Sequence, residues 1–279
     1  MIKIYRTRKG IVLEKEERFY LSRLTDWDQF INRDGLYELL TEEISFEEPL
    51  GHADWLVEQS LLAPIGSQEV WAAGVTYLRS KTARMEESRE SGGASFYDKV
   101  YDAERPELFF KATPQRVAGP NDRVRIRKDS SWNVPEPELT LVINASAKIV
   151  GYTIGNDMSS RSIEGENPLY LPQAKMYDGA AALGPCLLIT SEPIPTTTGI
   201  RMMVEREGKI MFDGSTTISQ MKRTHEELVS YLYRECTFPN GCYLMTGTCV
   251  VPENDFTLHQ NDVITITIDH IGTLVNRVD

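Results

Sequence analysis

The sequence holds little cysteine, four residues in 279, at Cys186, Cys236, Cys242 and Cys249. None forms a C-x-x-C pair, and no histidine pair stands at zinc-ligand spacing. That excludes a zinc finger or a disulfide-stapled scaffold and leaves reduced thiols packed in or near a core. No histidine adjoins any of the four, so a thiol nucleophile is not favoured. No apolar run approaches the ~18 residues of a membrane-spanning helix. The opening MIKIYRTRKGIVLEKEE lacks the apolar stretch and small-residue cleavage site of a signal peptide, so a cytoplasmic protein is expected. Basic charge is also short. A formal net charge of −11 argues against nucleic acid, which needs a basic surface. It leaves room for a small anion, whose needs a local cation or metal ion can meet.

What is present suits a soluble globular protein. With 41% hydrophobic and 25% charged residues, the chain can bury a sizeable core in one large domain, or in a large one plus a small one. Residues 1–67 read as a small α+β unit. MIKIYRTRKGIVLE suggests a hairpin, and DWDQFINRDGLYELLTEE and HADWLVEQSLL carry apolar residues at helical spacing, with Trp55, Leu56, Gln59 and Leu62 in the second. APIGSQ then breaks the pattern.

From residue 68 to 279 short β-prone runs dominate: VWAAGVTYL, PELFFKA, ELTLVIN, KIVGYTIGND, RMMVEREGKIMF and others. One clear helix interrupts them. KRTHEELVSYLYREC offers Thr224 and Glu227 as a capping box, with Leu228, Tyr231, Leu232 and Cys236 on one face. Many strands without βαβ alternation predict a mostly β (α+β) fold, a sandwich or roll. Residues 79–107 are charged and weakly patterned. They read either as a solvated loop or as a lid hinged at Gly92–Gly93.

The stretch PEPELTLVINASAKIVGYTIGND gathers three carboxylates. Glu136 and Glu138 project from one side of a strand. An even-length loop near NASAK sets Asp157 opposite Glu136; an odd one sends it to the wrong face unless a bulge corrects it. Clustered anions repel, and a hard divalent ion such as Mg²⁺ removes the repulsion. By spacing alone, solvated glutamates on a strand and an Asp in a turn remain an equal alternative.

The runs PEPELTLVI, GYTIGNDMSSRSIEGENP, LPQAKMYDGAAALGP and LMTGT together resemble the fumarylacetoacetate hydrolase family, over roughly residues 70–279. The resemblance implies that family's C-terminal type of mixed β-sandwich roll, following a small N-terminal α+β domain. It also implies a Mg²⁺ site, with Mn²⁺ or Ca²⁺ as substitutes, held by Glu136, Glu138 and Asp157, and Lys175 reaching the active site. The family's C–C hydrolases carry a histidine where this chain has Ser80, which argues against water activation by their route. AAGVTYLRS, YDAERPELFFKA, WNVPEPEL, EGENPLYLPQAK and FPNGCYLMTGT instead resemble the branch that dehydrates 2-keto-3-deoxy sugar acids. That likeness implies a hydro-lyase forming 2,5-dioxopentanoate in pentose breakdown, with Glu107 and Lys175 as the acid/base pair. Thr248, Arg79 and Ser80 are the candidate contacts to a small 2-oxo sugar acid, and Arg161 braces the metal loop. Ser162 stands where the family usually has Asp. Family members suggest a homodimer or homotetramer. The rival readings are an acylpyruvate-type C–C hydrolase and a sugar-acid binding protein without catalysis.

Overall fold

The computed structural model describes residues 1–51, 60–87 and 94–279. Among them, ten strands form one large sheet. Its path runs β3 (Arg18–Leu21), β2 (Gly10–Lys15), β1 (Ile2–Thr7), β12 (Ala181–Ile189), β10 (Ile149–Asp157), β9 (Pro137–Ile143), β15 (Cys242–Met245), β4 (Glu69–Gly74) and β5 (Glu107–Ala112), with β6 (Val117–Ala118) paired to β12. A second, five-stranded sheet runs β14 (Lys209–Thr217), β13 (Gly199–Arg206), β16 (Val263–Ile268), β17 (Gly272–Val278), β7 (Arg123–Val124). A short ladder joins β8 (Asn133–Val134) to β11 (Ser159–Ser160).

The alternating pattern assigns the faces. Leu139, Leu141 and Ile143 of β9 meet Met202, Val204, Ile264, Ile266 and Ile268 of the second sheet in the sandwich core. On the other face, Val142 joins a second core with Phe30, Leu36 and Leu40. Because both faces of the large sheet are covered, β9 is buried throughout. The mostly β architecture agrees with the sequence pattern.

The N-terminal hairpin forms, and a third strand follows it. β1 pairs antiparallel with β12, so residues 1–67 contribute strands to the large sheet itself. The first helical stretch is two helices, Trp27–Ile31 and Leu36–Ser45, parted at Gly35, whose φ of 63° breaks helical geometry. The expected helix around Trp55, Leu56 and Gln59 lies outside the described residues, as does Gly92–Gly93.

Residues 79–107 are a correction to the loop reading. They contain most of helix Leu78–Glu87 and all of helix Ala94–Asp102. Dense charge hid the helices, because their apolar stripes are thin. Half of the capping box forms: the Thr224 hydroxyl accepts from Glu227 N–H at 3.1 Å, while the Glu227 carboxylate pairs with Arg223, and Leu228 and Leu232 are buried. That helix ends at Leu232, so Cys236 falls beyond it and is exposed. No helix among the described residues is long and apolar enough to cross a membrane.

Candidate active site

The parity question at the carboxylates is settled by one bulge. Ile143 pairs with Ile149 across the odd-length turn 144–148, and that register would oppose Glu136 to Asn156. The register shifts between Ile149 and Gly151, so that Pro137 meets Asn156 and Glu138 meets Gly155. Asp157 is thereby brought opposite Glu136, and its N–H bonds Glu136 O at 2.9 Å. Glu136, Glu138 and Asp157 are all buried, with one oxygen from each within 4.8 Å of the others. Burial, with Asp157 and Glu136 beside it, drives the Glu138 carboxyl well above the usual range. An all-carboxylate, buried donor set of this kind fits a hard divalent cation such as Mg²⁺.

A cavity opens on the triad. Its lining includes Ser80, Arg84, Phe109, Arg161, Lys175 and Thr248. Lys175, the last residue of helix Leu171–Lys175, donates to Glu136 Oε2, to Asp157 Oδ2 at 3.0 Å and to Ser159 Oγ at 2.6 Å. Its ammonium also lies 5.6 Å from the Phe109 ring centroid. Arg161 donates to Glu136 Oε1 at 2.8 Å. Burial, then Arg84 and Arg79, pushes that guanidinium well down.

Glu107 opens β5 opposite Gly74 on β4. Its carboxyl lies over Gly74, where an added Cβ would stand 2.5 Å from Glu107 Cδ. Burial, aided by the negative Glu136 and Asp157, raises the Glu107 carboxyl above its ordinary value against the opposing pull of Arg84 and Lys175. A Gly74→Ala variant should therefore displace this carboxyl. The expected result is a fall in kcat of about 10²-fold, the scale of an ångström-sized misplacement, with melting temperature and Mg²⁺ affinity close to wild type.

The other candidates separate. Thr248 lines the cavity, while its hydroxyl is engaged with the backbone of Val250. Ser80 also lines it, but its Oγ donates to Tyr77 O and accepts from Tyr77 N–H, capping helix Leu78–Glu87. Arg79 is half-buried on the same helix and is not among the lining residues. Ser162 points to Ser130, 2.9 Å between hydroxyls, away from the triad.

Three charged groups escaped the sequence reading. Arg84 pairs with both Glu136 and Glu164, and Lys111 with Asp157. Lys111 left a trace in ELFFKA, where a lysine shares the strand face of Glu107 and Phe109. Arg84 and Glu164 left none. With every group charged, the site has carboxylates at Glu107, Glu136, Glu138, Asp157 and Glu164 and cations at Arg84, Lys111, Arg161 and Lys175. One divalent cation plus one monoanionic ligand brings that set to neutrality. Asp157 illustrates the balance: burial raises its carboxyl, but Lys111 and Lys175 outweigh burial and hold it low.

Comparison with known proteins supplies the context for this geometry. A protein of Haloferax volcanii named probable 2-keto-3-deoxyxylonate dehydratase is 50% identical over 227 residues, covering 81% of this chain and 77% of its own. The 2-dehydro-3-deoxy-D-arabinonate dehydratase of Saccharolobus solfataricus is 45% identical over 218 residues, 77% of this chain and 73% of its own. A solved structure of 2-keto-3-deoxy-D-arabinonate dehydratase, complexed with magnesium and 2,5-dioxopentanoate, superposes with a TM-score of 0.85 at 33% identity, covering 100% of this chain and 98% of that one. The family model described as fumarylacetoacetate (FAA) hydrolase C-terminal matches residues 70–279. This chain therefore belongs to the fumarylacetoacetate hydrolase family.

Proposed function

We propose that the protein is a Mg²⁺-dependent hydro-lyase that converts a five-carbon 2-keto-3-deoxy sugar acid to 2,5-dioxopentanoate. The observation that carries this is the buried triad Glu136, Glu138 and Asp157 with Lys175 beside it and the Glu107 carboxyl packed against Gly74 of the cavity wall, in a chain so similar to dehydratases of such acids. Mg²⁺ held there supplies Lewis acidity to the carboxylate and keto oxygens of a 2-oxo acid, which makes the C3 protons acidic.

The rest is proton transfer by Glu107 and Lys175. One takes a proton from C3, and one delivers a proton to the departing C4 hydroxyl, so water leaves and a C3–C4 double bond forms. Conjugation to the keto group makes C5 acidic in turn. Moving a proton from C5 to C3 yields the C4–C5 enol, and protonation at C4 gives the aldehyde. No redox cofactor enters, because the oxidation at C5 balances the reduction at C4.

Chemistry narrows the substrate. Formation of a 2-keto-3-deoxy acid erases the stereocentres at C2 and C3, so D-arabinonate and D-xylonate converge on one compound. The two relatives' names are thus compatible with one substrate. Such an acid arises by dehydrating a pentonate, which places the reaction in pentose breakdown. Free thiols at all four cysteines suit the cytoplasm. A homodimer or homotetramer, readable by light scattering, is the assembly we expect.

The C–C hydrolase reading is weaker, since among the described residues no histidine lines the cavity. Incubation with 2-keto-3-deoxypentonate and Mg²⁺ should release 2,5-dioxopentanoate. A chelator should stop the reaction, and excess Mg²⁺, or Mn²⁺ in its place, should restart it. Free pyruvate in place of the semialdehyde would instead identify a hydrolase, and ligand binding without either product a non-catalytic binder.

A further inference from the structure

The ammonium of Lys111 is the least expected charge in the molecule. Its side chain is 0% exposed, on a strand where Leu108, Phe109, Phe110 and Ala112 are apolar and only Glu107 is also charged. A buried ammonium is costly unless its donors are met. Two carbonyls accept from it, Met158 O at 2.9 Å and Lys175 O at 2.6 Å, and Asp157 Oδ1 lies beside it as an ion-pair partner at 2.5 Å. The ammonium is thus engaged by three protein oxygens, and Lys111 does not line the cavity. It therefore has no catalytic contact to make.

Its three partners belong to the two segments that carry the chemistry. Asp157 and Met158 close β10, while Lys175 ends helix Leu171–Lys175, a helix of only five residues with little stability of its own. Lys111 also shares a strand, and a strand face, with Glu107. One side chain thus ties the strand of Glu107 to a carboxylate of the triad and to the backbone of Lys175.

We infer that Lys111 is a positioning residue, which fixes the Asp157 carboxylate for the metal ion and sets the end of the Lys175 helix relative to Glu107. This rests on the dehydratase reading for its effect on turnover, but its effect on metal affinity stands apart from any substrate.

The test uses Lys111→Met, which keeps the length and apolar volume and removes the ammonium, with Lys111→Gln as the second variant. Folding is checked by circular dichroism, Mg²⁺ affinity by calorimetry and turnover by semialdehyde release. Loss of a group that orients a metal ligand typically costs 10–100-fold in affinity or activity. The expected result for a folded variant is about tenfold weaker Mg²⁺ binding and a kcat about 10²-fold lower, with KM within about threefold, since no substrate contact is lost. Lys111→Arg, which restores a buried cation in a larger shape, should recover part of both. A folded Met or Gln variant with wild-type Mg²⁺ affinity and wild-type kcat, differing only in melting temperature, would overturn the proposal and leave Lys111 a purely structural ion pair. Should wild type itself fail to dehydrate the acid, the dehydratase reading fails while the Mg²⁺ comparison still decides the role of Lys111.

Discussion

Replacing Lys175 with methionine should lower kcat by about 10³-fold, within the 10²–10⁴ range of a positioned acid or base. Lys175 lines the cavity and lies against Glu136 and Asp157, so in the proposed reaction its proton is within reach of an acid held at the triad. Methionine keeps the packing against Phe109 and carries no transferable proton. The change also strips a counter-ion from two buried carboxylates. Removing one partner of a buried pair typically costs 3–5 kcal/mol, so the metal-free variant should melt well below wild type. Mg²⁺ should recover much of that loss, because a divalent ion replaces the missing charge at the same oxygens. Calorimetry is expected to show Mg²⁺ bound at least as tightly as by wild type, since the competing ammonium is gone. An inactive variant that still holds its metal separates proton transfer from metal binding. Full turnover in Lys175→Met would remove Lys175 from the acid/base pair.

Glu107→Gln should be the mirror case, losing about 10³-fold in kcat while gaining stability. Glutamine is isosteric and fits over Gly74, so the cavity keeps its shape. The stability sign follows from linkage. In the folded protein burial raises the Glu107 carboxyl above its ordinary value. Between the ordinary value, about 4.3, and the raised one, the folded state binds more protons than the unfolded state. Stability therefore falls as pH rises through that window. Glutamine has no proton to lose. In the presence of a chelator the variant should melt above wild type at neutral pH, and the gap should close as pH drops below the ordinary carboxylate range. The pH–rate profile of the variant should lose the limb that Glu107 contributes. Equal melting curves at both ends of the pH range would contradict the buried, charged Glu107 that the geometry requires.

The two variants part in a way that the site's charge explains. Lys175 is one of the cations that keep buried carboxylates ionised, so its loss destabilises. Glu107 is the carboxylate that tips the set from balance to an excess of negative charge, so its loss relieves the protein. On the proposed mechanism both serve proton transfer, at opposite cost to the fold.

Local periodicity made several features legible in the amino-acid sequence by itself. Alternation in ELTLVI and DVITITI fixed strands, because successive side chains of a strand must face opposite sides. The same rule set Glu136 and Glu138 together. Thr224 and Glu227 marked a helix start, since the capping bond spans only three residues. The family motifs carried the metal and acid/base candidates. Tertiary structure decided what depends on distant partners. The bulge between Ile149 and Gly151 chose the side on which Asp157 lies, and one residue of register reverses every side chain beyond it. Pairing of β1 with β12 joined the N-terminal strands to the large sheet across about two thirds of the chain. Lys111 and Arg84 meet the triad, and Glu164 meets Arg84, from separate elements, brought there by the demand that buried charges find opposite charges. That demand is settled in three dimensions, and no local spacing records it.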